Sequence, residues 1–232
     1  MAKQFSVNDI LQFDQRYRAT FINSLGGFKS LVLIGTINKK KQSNLAVFNS
    51  FFHLGASPPL FGFIIRPDSA ERHTLDNILS VKEFTVNHVN ESFYKQAHQT
   101  SARYPQDISE FDATSLTAEY KTNFAAPFVA ESNIKIGARF ERRVDIIENG
   151  TILIIASIIS VSLPDDCILE DGYINLEKAG TITCSGLDSY HKTTRIARLS
   201  YAKPNLPLAE TDEVFERADN TNNQIKQKNK EQ

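Results

Sequence analysis

The chain has 232 residues, 41% of them hydrophobic and 23% charged, which is enough to bury a substantial core in one domain and too apolar for a disordered chain. Its formal net charge is −1, so no global positive field exists to hold a polyanion, and nucleic acid is not expected as a partner. Sixteen Phe and seven Tyr, with no Trp, make the aromatic bulk mostly apolar packing material.

The opening residues, Met1 to Asp9, lack the apolar segment of a signal peptide. Asp9 to Leu25 places Ile10, Leu11, Phe13, Tyr17, Phe21, Ile22 and Leu25 at steps dominated by three and four, which predicts an amphipathic helix ending at Gly26-Gly27. Ser30 to Ile37 is apolar and rich in β-branched residues, a buried strand. The polar, basic segment Asn38 to Ser43 reads as a hairpin tip leading to a second strand from Asn44. Pro58-Pro59 opens a third strand, Leu60 to Ile65, which Arg66-Pro67-Asp68-Ser69 stops. A short helix over Arg72 to Ser80, a strand over Phe84 to Val89 and a helix over Phe93 to Ser101 follow, and Tyr104 to Ala126 is mixed and loop-like.

Two long strands, Ile134 to Ile147 and Thr151 to Leu163, flank Glu148-Asn149-Gly150, whose Asn-Gly pair favours a tight hairpin turn. Val144, Ile146, Ile152, Ile154 and Ile158 supply the β-branched side chains such strands favour. The longest apolar run, Ile152 to Leu163, is interrupted by Ser157, Ser160 and Ser162 and falls short of the roughly 20 residues of a membrane-crossing helix. No membrane association is expected. Asp165 to Thr194 is rich in turn residues, a strand is predicted around Arg195 to Tyr201, and Glu210 to Ala218 has the composition for a helical turn or two. The division expected is one domain over 1–204 and a polar tail over 205–232. Hairpin-linked strands with few helices predict a mainly β fold, an antiparallel barrel with peripheral helices, rather than a doubly wound parallel sheet.

Cys167 and Cys184, the only cysteines, give no disulfide framework, no CxxC pair and no thiolate zinc site, and a reducing, cytoplasmic setting is the simplest expectation. The five histidines are dispersed, and no metal site is predicted. Nor is there a Gly-rich dinucleotide fingerprint, a P-loop or an HExxH helix.

Two stretches carry the chemistry. Asn44 and Asn49 offer amide groups, Ser50 a hydroxyl, and Ala46 lets a planar ring approach the backbone. Arg72 suits a phosphate in a two-pronged geometry, Thr74 adds a hydroxyl at a helix start where the dipole favours anions, and Asn77 lies about one turn further on. On chemistry alone the plainer reading is the better one: turn residues, and a solvated helix start.

The ordered set of motifs resembles the flavin-reductase-like, FMN-binding split-barrel family. The residues that carry the resemblance are Gly35-Thr36, Asn44-Leu45-Ala46-Val47-Phe48-Asn49, Pro58-Pro59, Arg72-His73-Thr74, Asn77-Ile78 and Phe84-Thr85-Val86-Asn87, and it spans roughly Arg16 to Pro204. Val47 stands where many relatives have Pro, Asn49 where many have Ser, and His73 in place of Asp. The resemblance implies a split barrel and FMN held by Thr36, Asn44, Ala46, Phe48, Asn49, Ser50, Arg72, His73, Thr74 and Asn77, with the phosphate end at Asn49, Ser50, Arg72 and Thr74. It implies NAD(P)H as reductant, hydride transfer to flavin N5, small-molecule substrates and a homodimer. It also brings His191 toward the flavin as a candidate on the nicotinamide or substrate side, against the plainer reading of a surface-loop histidine. The alternative function is a non-catalytic flavin-binding carrier or electron-transfer module.

Overall fold

The structure, a computed structural model, describes residues 1–67, 73–105 and 107–210. Two compact units divide the chain, Met1–Thr193 and Thr194–Gln232. Among the described residues no helix is long and apolar enough to cross a membrane.

Six strands of the first unit close an antiparallel barrel: β1 (Lys29–Ile37), β2 (Ser43–Ala56), β3 (Pro59–Ile65), β4 (Glu83–His88), then β7 (Lys135–Ile146) and β8 (Thr151–Ser162). The order round the barrel is β1-β2-β3-β8-β7-β4, and β4 pairs back onto β1. Between β4 and β7 lies a two-stranded ribbon, β5 (Ala118–Glu119) with β6 (Phe128–Val129). A hairpin of β9 (Thr183–Ser185) and β10 (Ser189–His191) extends the sheet from the Lys29 end of β1. The sequence pattern gave no sign of this hairpin, because three-residue strands are too short for a period-two signal.

Alternation along the strands sorts the side chains. Val32, Ile34, Phe61, Phe63, Phe84, Val86, Ile152 and Ile154 fill the barrel. Phe63 and Phe84 meet at 5.7 Å between ring centroids, an edge-on geometry that suits their quadrupoles. Each such side chain taken from water stabilises by about 1.5–3 kcal/mol. Leu75 and Ile78 of α3 (His73–Val81) belong to the same core, so this helix packs on the barrel near the end of β1 that carries Thr36. The opposite sides of β1 and β2 present Leu31, Leu33, Leu45 and Val47 to a second core. This one is closed by Phe93, Ala97 of α4 (Tyr94–Gln99), Phe111 of α5 (Glu110–Thr114), Val129 and Cys184.

The predicted single helix over Asp9 to Leu25 is two, α1 (Val7–Gln12) and α2 (Gln15–Leu25). Phe13 is extended between them, and the Asp14 carboxylate accepts the Tyr17 amide N–H, a cap that starts a new helix at a position the apolar spacing does not mark. Asn149 and Gly150 turn β7 into β8 as predicted, with Gly150 at φ +72° and the Asn149 side chain accepting from the Thr151 N–H and hydroxyl. In the second unit the predicted strand around Arg195 to Tyr201 is not formed: only an isolated bridge joins Leu199 to Glu210, and Ile196 and Tyr201 stand in solvent. A β-prone run without a partner edge has nothing to pair with. The helical turns expected beyond Glu210 lie outside the described residues.

Candidate functional site

At the α3 end of the barrel, four of the candidate residues form one hydrogen-bonded pair of pairs. Asn77 Nδ2 donates to Thr36 Oγ1 at 3.0 Å, and Asn44 Nδ2 donates to Thr74 Oγ1 at 3.1 Å. Thr36 is fully buried, and Asn44 and Asn77 nearly so. The strands set this geometry, since Thr36 pairs directly with Asn44 in the β1–β2 ladder. Helix α3 lays Thr74 and Asn77, one turn apart, over that pair. Because Thr74 accepts the amide, its own O–H remains a donor for something else.

Beside this network is a polar recess lined by Asn38, Gln42, Ser43, Asn44, His73 and Asn77. Its rim carries amides, a hydroxyl and an imidazole and no carboxylate, at the start of a nine-residue helix whose dipole favours negative charge. The recess itself, about 10 Å³, has room for roughly one water. Asn38, Asn44 and Asn77 already donate to Gln42, Thr74 and Thr36, so an anionic group such as a phosphate would rest at its mouth, toward the helix start, and not inside it. Arg72, the expected guanidinium partner of the phosphate, lies outside the described residues.

The ring-side candidates behave differently. Ala46 is half-buried opposite Ile34, and Phe48 packs edge-on against Phe63 at 5.0 Å, so both shape the barrel wall beside the network. Asn49 and Ser50 sit further along β2. The Ser50 hydroxyl is occupied twice by the backbone of Ile64, donating to its carbonyl and accepting from its N–H, each at 3.0 Å. It takes the place of a ladder bond where β2 is irregular. Asn49 Nδ2 donates to the Gly186 carbonyl at 3.4 Å, in the β9–β10 hairpin. His191 stands in that same hairpin, with Nε2 2.8 Å from Ser185 Oγ and its ring edge-on to Phe28 at 4.9 Å. The tertiary structure thus brings Asn49 and His191 to one hairpin and leaves Thr36, Asn44, Thr74 and Asn77 in a separate cluster toward α3.

Sequence reasoning missed Glu110. Its carboxylate, 7% exposed, accepts the Leu45 amide N–H at 2.9 Å. Burial pushes its carboxyl above the usual range, opposed by the hydrogen bonds from Leu45 and from its own backbone and by the nearby His73. Glu110 lies in a stretch with no motif and no clear period, so no sequence signal could have found it. Tyr190 was also missed. Its hydroxyl meets His98 Nδ1 at 2.5 Å, and burial, with Cys184 and Asp188 adding to it, pushes its pKa up to about 12.

With this geometry established, comparison with known proteins gives the family. Residues 25–177 match the family described as the flavin reductase like domain, and the chain belongs to that family. A crystal structure from Shewanella frigidimarina NCIMB 400, with a split-barrel domain and provisionally assigned as a flavin reductase, is 47% identical. It superposes with a TM-score of 0.84 over 87% of this chain and 100% of that one. Nitrilotriacetate monooxygenase component B from Bacillus cereus shares the fold at 20% identity and a TM-score of 0.74, over 88% of this chain and 100% of that one. A protein of Aquifex aeolicus with no assigned function is 28% identical over 148 residues, 62% of this chain and 74% of its own length. The expected split barrel is the fold observed.

Proposed function

We propose that this protein is an FMN-dependent oxidoreductase of the flavin reductase type, reduced by NAD(P)H. The observation that carries the reading is the match of residues 25–177 to this family, with the polar side chains gathered at the start of α3 in support. FMN, when bound, supplies the acceptor for a hydride from the nicotinamide. The protein's own part is to hold and orient. Thr74 offers an O–H donor to the phosphate at the helix start, with His73 beside it. Asn44 and Asn77 keep Thr74 and the strand ends in register. Ala46 leaves space along β2 where a bulkier side chain would stand in the way of a ring. The hydride step requires no protein acid or base, which agrees with a site of amides and hydroxyls.

A homodimer completes the proposal. Phe52, Ile159 and Val161 are exposed on β2 and β8, apolar surface that a second copy would cover. Two free, buried thiols suit a reducing cytoplasm.

The visible spectrum of the purified protein, followed by anaerobic addition of NADH or NADPH, tests the function. A yellow protein that bleaches on addition is the expected result. A yellow protein that does not bleach would make it a flavin carrier, and an apoprotein that never takes up FMN would overturn flavin binding.

A further inference from the structure

A cavity of about 280 Å³ lies at the Lys29 end of β1, bounded by Phe28, Val32, Leu176 and Ile182 together with His88 and Thr181. None of the residues proposed for the cofactor lines it. Thr36, at the other end of the strand, is six residues from Ser30, on the order of 20 Å along an extended chain. The cavity is therefore separate from the recess beside α3.

His88 is the group that gives this cavity a chemistry. It is the last residue of β4, paired with Val32. Its backbone carbonyl accepts from Ser132 Oγ at 2.8 Å, and its Nδ1 lies 3.3 Å from Thr181 Oγ1. The first contact holds the backbone and the second orients the ring. Its Nε2 meets no partner among the described residues and is not sealed off among buried unsatisfied atoms. Desolvation lowers the pKa of this histidine to about 4, so the ring is neutral at physiological pH. Lys29 also borders the cavity, but its ammonium group donates to the carbonyls of Asn23 and Gly186 at 3.2 and 2.7 Å and is held there.

We propose that this cavity is a binding site for an uncharged, single-ring aromatic molecule carrying one hydroxyl group, which hydrogen-bonds to Nε2 of His88. The volume sets the size. A cavity of roughly 150 Å³ holds benzene, so this one has room for a substituted ring. The walls set the polarity, with Phe28, Val32, Leu176 and Ile182 offering apolar and aromatic contact. The imidazole sets the functional group. A hydroxyl both donates and accepts, so it pairs with Nε2 in either tautomer, whereas a carbonyl needs the Nε2–H form alone. A carboxylate would lose its hydration to a neutral ring and gain no free cation in return.

Calorimetric titration of the full-length protein with phenol, toluene and benzoate is the test. Saturable phenol binding is expected, on the order of fivefold to tenfold tighter than toluene, the range one neutral hydrogen bond supports, with benzoate weakest. In protein carrying ¹⁵N-histidine, phenol but not toluene should move the His88 Nε2 resonance. In His88→Leu, toluene affinity should persist and the preference for phenol should vanish. Should that variant fail to fold, Thr181→Val, which frees Nδ1, should lower the preference while leaving toluene affinity unchanged. Absence of saturable binding by phenol would overturn the site, equal affinities for phenol and toluene would overturn the role of His88, and tightest binding of benzoate would overturn the uncharged class.

Discussion

At the scale of single residues, the network under α3 does structural work with the atoms a cofactor site would use. Asn77 is buried and spends its amide on Thr36. Asn77→Ala leaves the Thr36 hydroxyl enclosed without that donor, and unfolding in urea should show a loss of about 1–3 kcal/mol. Glu110 acts in the opposite direction. Its folded carboxyl titrates above the ordinary value of 4.5 because burial disfavours the charge. The folded chain therefore binds more protons than the unfolded chain between 4.5 and the raised native value, so this residue's contribution to stability falls as pH rises through that window. Glu110→Gln keeps a carbonyl oxygen for the Leu45 N–H and removes the charge. Compared by urea unfolding below pH 4.5 and again near neutrality, the variant should gain on the wild type at the higher pH.

At the scale of elements, close approaches between strands and loops decide which side chains the barrel tolerates. A Cβ on Gly35 would stand 2.4 Å from the Pro127 carbonyl oxygen and 2.5 Å from Thr85 Oγ1, where the outer side of β1 meets the segment leading into β6. Thr85 is itself bound to that carbonyl at 2.7 Å, so neither atom can give way. A Cβ on Gly137 would meet Ser160 Oγ at 2.5 Å and the Phe124 ring at 3.1 Å, both of them side-chain atoms. Chemical denaturation should therefore rank Gly35→Ala as the more damaging change, by about 1–3 kcal/mol or more, with Gly137→Ala milder because a hydroxyl can rotate away. The same logic explains the break between α1 and α2. The apolar period runs through both, but the Asp14 carboxylate, accepting the Tyr17 N–H, caps a fresh start at Gln15, and local polar chemistry outweighs a continuous stripe on helices that bury no residue.

For the whole molecule, the closed barrel fills its interior with Phe, Ile and Val side chains and leaves Phe52, Ile159 and Val161 outside. Light scattering at micromolar concentration should give twice the chain mass. Ile159→Lys combined with Val161→Lys, on strand positions that do not enter the core, should shift the protein toward monomer without lowering its thermal midpoint by more than a few degrees. A monomeric wild type with FMN fully bound would remove the dimer from the proposed site.

How much of this was legible beforehand follows from the range of the interactions involved. Period and turn chemistry are local, so β1, β3, β4, the β7–β8 hairpin around Asn149-Gly150 and the helix after Arg72 could be read directly from neighbouring residues. The motif order Thr36, Asn44, Thr74, Asn77 named the cluster that hydrogen-bonds under α3. Other features exist only when distant segments meet. The Ser50 hydroxyl is taken by Ile64, Asn49 reaches Gly186, Glu110 comes to the Leu45 amide, and His88 meets Thr181 at the edge of a cavity. Sequence alone determined which side chains could form strands and which polar groups were at hand. Tertiary packing decided which of those groups were spent on one another and which kept a free donor or lone pair, because burial and partner geometry belong to the closed barrel and not to any single stretch of chain.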